Sequence, residues 1–351
     1  MQASGELIKD KIIVKKPRDV GRLYTRSKFG EILSGNNLKL DLIEGAFLLD
    51  EGKIRLQKNG GEINFEKLVK LSSEHIQCFE IKYLIFKDLR KRGLTVKLYD
   101  GKDDFDFCVY KQENGKKKEK QCLLKAFSER DFFDIDETKR LTDTIIKKNG
   151  ELWFTIVDEE GDITYYDVTL LDMKGSIHEN VFRKIDGFLV GNRVVVFENA
   201  SDLLDKEFYG KSFGSGLQLS MVEALYLLEK NVLDIKDPKS GKRLSKKDFS
   251  TIIEKTQPDI NNRLMVFRNL KKRGLIVKTG FKFGSHFRVY TDQPDKTHAE
   301  YLVHVVDKGF RSMWAEISRA VRLAHSVNKE IVFARIDNDK IDYIKFGRLK
   351  P

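Results

Sequence analysis

Residues 84–97 read LIFKDLRKRGLTVK, and residues 265–278 read MVFRNLKKRGLIVK. Each stretch has the pattern of a basic helix that stops at a glycine and continues as a strand, because glycine readily adopts the left-handed conformation that ends helices. The two glycines, Gly93 and Gly274, lie 181 positions apart (274 − 93). An offset near 180 residues over most of the chain indicates a duplicated domain, since a solenoid would repeat roughly every 20–50 residues. Three further matches share this offset: Glu44 with Glu223, residues 107–110 (FCVY) with 287–290 (FRVY), and residues 151–154 (ELWF) with 330–333 (EIVF).

Each half is predicted to combine helices with strands. We therefore expect a mixed α/β (α+β) chain built by tandem duplication, each half a small α+β subdomain followed by a helix-flanked mixed sheet. The polar stretch 173–176 (MKGS) places the boundary, giving repeats 1–175 and 176–351. Amphipathic patterns predict helices over residues 64–71, 136–148, 220–229, 259–273 and 313–326. Runs of β-branched and aromatic residues predict strands over 94–127, 275–290 and 299–306, with hairpins at 152–168 and 330–346.

The composition limits the class of protein. A chain of 351 residues with 40% hydrophobic and 34% charged residues and five prolines is typical of folded domains with their own cores. The net charge of +11 favours a polyanionic partner. Three cysteines without C-x-x-C spacing make a disulfide framework or a zinc site unexpected. With no signal pattern at the N-terminus and no apolar run of 18 residues, we expect a cytoplasmic protein without a membrane segment.

Three polar residues near the C-terminus distinguish the second half from the first. Tyr290 follows a predicted strand, His298 is predicted to open the next one, and Lys329 precedes the last hairpin. The first half keeps Tyr110, replaces the histidine region by EKQ at 119–121, and has Gly150 in place of the lysine. Each residue alone would most simply be structural or solvated. A structural role would have survived in both copies, so the loss of two of the three favours a chemical role in the second.

The residues around this group resemble a known family. Residues 281–290 (FKFGSHFRVY), 298–303 (HAEYLV) and 319–324 (RAVRLA) are similar to the archaeal tRNA-splicing (tRNA-intron) endonucleases. Residues 157–160 (VDEE), followed by ITY at 163–165, are similar to the acidic loop of the members with a duplicated subunit. The resemblance covers both halves, and the first 30 residues match least well. It implies a catalytic second repeat whose nuclease subdomain occupies about 260–351, and a degenerate first repeat.

The resemblance assigns a catalytic triad to Tyr290, His298 and Lys329. In that assignment Tyr290 is the general base on the RNA 2′-hydroxyl, His298 protonates the departing 5′-oxygen, and Lys329 stabilises the charged phosphorane. The products are a 2′,3′-cyclic phosphate and a 5′-hydroxyl, and neither a metal nor another cofactor is required. A tyrosine of ordinary pKa, about 10, is roughly one part in a thousand ionised at neutral pH. A lysine within about 4–6 Å favours the phenolate, so we expect Lys329 to assist Tyr290 as well.

The resemblance also implies a mode of substrate binding and of assembly. Arg322 and Arg348 match positions whose guanidinium planes hold a flipped-out bulge base, a contact that suits a planar cation. The partner would be precursor tRNA, recognised by the shape of a bulge-helix-bulge because A-form grooves hide base sequence. Asp158, Glu159 and Glu160 would be dimer contacts, since the acidic loop 158–162 inserts into the opposite subunit of a homodimer in this family.

The sequence therefore predicts a metal-independent RNA endonuclease that excises introns from precursor tRNA. Two alternatives stay open: a noncatalytic structural RNA-binding subunit, and a metal-dependent nuclease that uses the acidic turn at 158–162. Only seven residues separate Tyr290 from His298, a shorter loop than in related members. Lys116, Lys117 and Lys118 are predicted to form a solvated basic turn that adds nonspecific RNA affinity.

Overall fold

A computed structural model of the chain describes residues 2–112, 119–177, 184–197, 204 and 206–351. The predicted basic turn at 116–118 lies outside these residues. The chain divides into two compact units. Unit 1 comprises Met1–Thr169, Arg311–Ile317 and Arg348–Pro351, and unit 2 comprises Leu170–Phe310 and Ser318–Gly347.

Unit 1 begins with a six-stranded sheet. Its strands, numbered along the chain, are β1 (Ala3–Ile8), β2 (Lys11–Val14), β3 (Glu31–Ile32), β4 (Leu38–Leu40), β5 (Ile54–Lys58) and β6 (Gly61–Ile63). They lie side by side in the order β3-β4-β2-β1-β5-β6. Its helices are α1 (Pro17–Val20), α2 (Leu42–Asp50) and α3 (Phe65–His75), with helical turns at Gly21–Arg26 and Ser34–Asn36.

The second part of unit 1 is a helix followed by a mixed sheet. It contains α4 (Phe79–Lys91), β7 (Thr95–Leu98), β8 (Phe107–Gln112), β9 (Glu119–Ser128), β10 (Phe132–Asp134), α5 (Ile135–Lys147), β11 (Glu151–Val157) and β12 (Ile163–Leu170). Strands β7, β8, β9, β11 and β12 lie side by side in that order. The β9–β11 pair is parallel and the other pairs are antiparallel.

Unit 2 repeats this plan. Its first sheet has the order β15-β16-β14-β13-β17, from β13 (Ile185–Val190), β14 (Arg193–Val196), β15 (Lys211–Phe213), β16 (Gly216–Leu219) and β17 (Leu233–Lys236). Helices α6 (Met221–Glu229), α7 (Lys246–Glu254) and α8 (Ile260–Lys272) lead to β18 (Ile276–Thr279), a 3-10 turn (Phe281–Phe283), β19 (Phe287–Tyr290) and β20 (Tyr301–Asp307). Strand β21 (Arg311–Met313), helix α9 (Trp314–Ser326), β22 (Glu330–Asp337) and β23 (Lys340–Leu349) complete the chain. Strands β18, β19, β20, β22 and β23 lie side by side, and β21 pairs with β10 within unit 1.

The same aromatic contact lies in the core of each unit, and it comes from the two matching stretches. The ring of Phe86 in α4 lies 6.2 Å from that of Phe107 in β8. The ring of Phe267 in α8 lies 6.0 Å from that of Phe287 in β19. All four side chains are buried, and burying a ring of this size stabilises the fold by about 1.5–3 kcal/mol.

A buried carboxylate also links the two parts of unit 1. Glu44, near the start of α2, accepts a hydrogen bond from the backbone N–H of Gly30 at 2.8 Å. Lys97 Nζ donates to the carbonyl of the same glycine at 2.6 Å and lies 3.4 Å from Glu44. Gly30 has a φ of +67°, and a Cβ there would lie 2.4 Å from the backbone oxygen of Lys39. The position therefore requires glycine.

Unit 2 contains the counterpart of this network at equivalent positions. The backbone N–H of Gly210 donates to Glu223 at 3.0 Å, and Lys278 Nζ donates to the carbonyl of Gly210 at 2.7 Å. Glu223 also completes a capping box with Ser220 at the start of α6. Residues that serve the fold are thus present in both copies, as the repeat comparison assumed.

The structure confirms the mixed α+β class, the duplicated plan and both predicted hairpins. The predicted helices are present within a few residues of their ends. One prediction needs correction, because residues 275–290 are not strands throughout. Phe281–Phe283 forms a 3-10 turn between Gly280 and Gly284, and Gly284 adopts a φ of +63° that breaks the extended backbone.

No helix in the described part of the chain is both long enough and apolar enough to span a membrane.

Candidate active site

The strand register of unit 2 brings several loop residues to one end of the sheet. Val289 of β19 pairs with Tyr301 of β20, which pairs with Glu330 of β22. One step further, the N–H of Glu300 donates to the carbonyl of Val289 at 3.1 Å, and the N–H of Glu330 donates to the carbonyl of Glu300 at 2.9 Å. Since β19 runs antiparallel to β20 and β20 parallel to β22, the carboxyl end of β19 lies beside the amino ends of the other two strands.

Tyr290 is the last residue of β19 and therefore lies at this end of the sheet. It pairs with Ile276 of β18, and its side chain packs against Ile276 and Ala299, with Phe208 at the edge of the cluster. Only 7% of Tyr290 is exposed. The ring is held by apolar neighbours, which fixes the direction of the phenol.

His298 lies in the segment before β20 and is exposed. The prediction that it opens a strand is wrong, since β20 begins three residues later, at Tyr301. The chain is still in a turn just before the histidine, where the N–H groups of Lys296 and Thr297 both donate to the carbonyl of Gln293, at 2.9 and 3.1 Å. The imidazole is therefore carried by a loop, although that loop joins the same end of the sheet.

Lys329 immediately precedes β22 and is half-buried. Its backbone N–H donates to the carbonyl of Ala324 in α9 at 2.9 Å, and its Nζ donates to the carbonyl of Val327 at 3.2 Å. The Nζ also lies 5.5 Å from the ring centroid of Phe283. The ammonium group is thus held near the C-terminal end of a helix, where a cation is favoured. With β20 between them, the backbones of Tyr290 and Lys329 are roughly 10 Å apart, within reach of a shared phosphate through their side chains.

Arg288 is a further candidate that sequence reasoning missed. Its guanidinium carbon lies 5.9 Å from the ring centroid of Tyr290, within the range of a cation–π contact. Its Nε is buried without a hydrogen-bond partner. Arg288, on the same strand as Tyr290, therefore places a cation beside the tyrosine ring. On the sequence alone, Lys329 was expected to supply that cation. The signal was present in the repeat comparison, because Cys108 occupies the matching position in the first copy.

At the position that matches Lys329, the first copy has neither a lysine nor the space for one. A Cβ at Gly150 would lie 2.8 Å from Ile145 Cδ1 and 3.1 Å from the backbone oxygen of Gln121. Cys108 is buried and accepts a hydrogen bond from the Gln121 side chain at 2.8 Å. This end of the first sheet is closely packed.

The two arginines expected to bind RNA are both exposed. Arg322 lies on α9 in unit 2, and its Nε donates to the carbonyl of Ser318 at 3.4 Å. Arg348 lies near the end of β23, in the segment that belongs to unit 1. Each guanidinium is accessible to a ligand.

The acidic turn joins β11 to β12 in unit 1, as the predicted hairpin required. Asp158 Oδ1 accepts hydrogen bonds from the backbone N–H groups of Glu160 and Asp162, at 3.0 and 2.8 Å. Glu159 forms an ion pair with Arg130, which leaves Glu160 as an exposed carboxylate of the turn. No group of three or more His, Cys, Asp or Glu side chains among the described residues is arranged to hold a metal ion.

These features define the class of protein: a duplicated α+β chain in which one of two similar sheets carries a tyrosine, a histidine and a lysine at one end. Two family models each match the chain twice. The tRNA intron endonuclease catalytic C-terminal domain matches residues 79–165 and 260–343, and the N-terminal domain of the same family matches residues 3–69 and 185–250. The chain belongs to the tRNA intron endonuclease family, so it is an RNA-cleaving enzyme that acts on tRNA introns.

Similar proteins match over nearly their whole length. The tRNA-splicing endonuclease of Methanococcoides burtonii is 37% identical, covering 98% of this chain and 99% of its own. That of Methanosarcina barkeri is 34% identical, covering 97% and 98%. The tRNA-splicing endonuclease of Haloferax volcanii is 30% identical, covering 97% and 98%.

Proposed function

We propose that this protein cleaves precursor tRNA at bulge-helix-bulge intron junctions without a metal ion, leaving 2′,3′-cyclic phosphate and 5′-hydroxyl ends. The observation that carries the proposal is the register of β19, β20 and β22, since Tyr290, His298 and Lys329 flank the same end of these strands. The proposal includes the division into a degenerate repeat, 1–175, and a catalytic repeat, 176–351.

The proposed reaction is an in-line transfer within the RNA. Tyr290, in its phenolate form, takes the proton of the 2′-hydroxyl, and the 2′-oxygen attacks the neighbouring phosphorus. The bond from phosphorus to the 5′-oxygen breaks, and His298 donates the proton that the departing oxygen needs. Lys329 stabilises the extra negative charge on the phosphorane oxygens. Each role has a protein group, so the scheme calls for no cofactor.

Substrate binding is proposed to rest on Arg322 and Arg348. Both guanidinium groups are exposed, and arginine can stack on a base while its charge remains near a phosphate. A base is available for such a contact only where it has left the helix, as in a bulge. This accounts for recognition of RNA shape rather than of sequence.

The enzyme is further proposed to act as a homodimer joined through the acidic turn 158–162. Asp158 holds the turn in one conformation through its hydrogen bonds, and Glu160 is exposed on it. A rigid loop with a negative charge can dock in a basic pocket of a second subunit.

The test is to incubate the purified protein with an end-labelled bulge-helix-bulge RNA hairpin in excess EDTA and to identify the new ends. Cyclic-phosphate and 5′-hydroxyl ends at both bulges are expected. A hairpin with 2′-deoxyribose at the two junctions is the control and should bind without being cut. Cleavage only after Mg²⁺ is restored would point to a metal-dependent nuclease. Binding without cleavage would point to a noncatalytic RNA-binding subunit.

A further inference from the structure

Phe281 is an aromatic side chain displayed to solvent on the catalytic repeat. At 89% it is the most exposed of the large apolar side chains in the described part of the chain. It lies in the 3-10 turn between β18 and β19. Nearly the whole ring is therefore available for contact with a ligand.

The backbone of the turn is held by several hydrogen bonds, so the attachment point of the ring is fixed. The N–H of Phe283 donates to the carbonyl of Gly280 at 2.8 Å, and the N–H of Gly284 donates to that of Phe281 at 3.0 Å. Ser285 Oγ lies 3.3 Å from the carbonyl oxygen of Gly280 and is buried beneath the turn. Because the backbone is already ordered, binding of a ligand would restrict only the side chain of Phe281.

The turn lies beside side chains already proposed to contact RNA. A Cβ at Gly284 would lie 3.8 Å from Leu323 of α9, the residue after Arg322. The ring of Phe283 has Lys329 Nζ 5.5 Å from its centroid and Lys282 Nζ 5.9 Å from it. The turn that carries Phe281 therefore has two lysine ammonium groups beside it, both close to the neighbouring ring of Phe283.

The first repeat is acidic at the positions that match this turn. Residues 100–106 read DGKDDFD, with four aspartates and one lysine, whereas residues 280–286 read GFKFGSH. In the first copy Asp103 and Asp104 form ion pairs with Lys148 at 2.8 Å and Lys125 at 2.7 Å. An acidic turn repels RNA, whereas an aromatic turn with cations beside it suits RNA.

We propose that Phe281 stacks on an unpaired base of the RNA substrate, and that Lys282 supports the contact through an adjoining phosphate. The inference rests on the proposed function, because it names a further substrate contact at the same site. A nucleotide is the occupant that matches a flat exposed ring on a turn with lysines beside it, since every nucleotide offers a π-face and a phosphate.

The test measures binding to the bulge-helix-bulge hairpin with 2′-deoxyribose at both junctions, so that binding is separate from cleavage. Phe281→Ala and Phe281→Leu should weaken binding by roughly 5- to 150-fold, the range for one base stacked on an aromatic ring. Phe281→Trp should bind within about threefold of the wild type, because it keeps the ring. Phe213→Ala removes another exposed phenylalanine of the same unit and should bind as the wild type does.

Other results would overturn the inference. If Phe281→Leu binds as tightly as the wild type, the contact is not aromatic stacking. If Phe281→Ala binds RNA normally but sediments as a smaller species, the ring is a contact between chains. Failure of the wild type to cleave the unmodified hairpin would instead refute the proposed function. Because binding and cleavage are measured in separate assays, the two negative results can be distinguished.

Discussion

Tyr290 is the residue whose removal tests the chemistry most directly. Tyr290→Phe deletes only the hydroxyl, and the ring keeps its packing against Ile276 and Ala299. We expect kcat to fall by about 100-fold or more, the usual contribution of a general base, with the melting temperature unchanged. Tyr110→Phe, the same change at the matching position of the first copy, should leave kcat within about twofold. Comparable losses in both variants would contradict the assignment of chemistry to the second repeat.

Lys329 is expected to contribute to the rate in two ways, and the pH profile separates them. Lys329→Ala removes a cation from the phosphorane and should lower kcat by roughly 10²–10³-fold at neutral pH. If the lysine also favours the phenolate, the rate of this variant should keep rising to higher pH than that of the wild type. The measurement is single-turnover cleavage from pH 6 to 10. An unchanged alkaline profile in Lys329→Ala, together with a shifted one in Arg288→Met, would assign this second role to Arg288.

The comparison of the two copies predicted Tyr290 and Lys329 at strand ends, and both positions are as expected. The same comparison aligns Arg288 with Cys108, but this difference was missed because it lies within a four-residue match that was read only as a sign of similarity. His298 was placed wrongly because the turn around Gln293 is held by local backbone hydrogen bonds, which leave no periodic signal. The roles of these residues stay predictions.

At the scale of secondary-structure elements, the buried carboxylate of α6 should matter for stability rather than for chemistry. Glu223→Ala leaves the N–H of Gly210 without its acceptor and removes half of the capping box at Ser220. We expect the free energy of unfolding to fall by about 1–3 kcal/mol, measured by denaturant titration, while kcat of the folded enzyme is retained. Glu74→Ala on the exposed face of α3 is the control. An equal loss in both variants would argue against the network.

The segment that leads into β19 makes one acid-sensitive contact with β20. His286 Nδ1 accepts a hydrogen bond from the N–H of Val305 at 2.9 Å, so protonation of the ring breaks this bond. Burial, with smaller effects of Arg263 and His304, lowers the pKa of His286 from 6.5 to about 4. Because the folded pKa lies below the unfolded one, the stabilisation is complete above pH 6.5 and is lost as the pH falls towards 4.

His286→Asn should therefore make the protein less sensitive to acid. The asparagine keeps an acceptor for the Val305 N–H and does not titrate. Between pH 6.5 and pH 4 the wild type should lose roughly 1–3 kcal/mol more stability than this variant, measured by thermal unfolding at each pH. His325→Asn, on the exposed side of α9, should follow the wild type. Parallel pH curves for all three proteins would show that His286 does not contribute.

For the whole molecule, the exposed part of the acidic turn is the feature that tests assembly. Glu159→Lys with Glu160→Lys reverses two charges and should shift sedimentation towards the monomer and lower activity at low enzyme concentration. Glu62→Lys with Glu74→Lys is the matched control, because it reverses two exposed charges of unit 1 away from the turn. If the double variant keeps wild-type sedimentation and full activity, the turn is not a dimer contact.

At this scale the sequence was most informative, since a constant offset between two halves is visible without any knowledge of contacts. The offset predicted the two similar sheets and their order of elements. It was uninformative about the segments 311–317 and 348–351, which belong to unit 1 although they lie in the second half of the chain. The membership of these segments in unit 1 depends on tertiary packing, for example of Trp314 against Phe127 and Phe133. No local sequence pattern records such contacts.

The strand register described above has a consequence for how such an enzyme can change. Tyr290 and Lys329 are attached to β19 and β22, which both pair with β20. This pairing cannot slip without turning buried side chains outward, whereas His298 is attached to a loop. Lengthening or shortening residues 291–297 would therefore move His298 relative to Tyr290 and Lys329. The length of this seven-residue loop thus determines where His298 lies. Grafting longer loops there offers a way to change which phosphate is cut while Tyr290 and Lys329 stay in place.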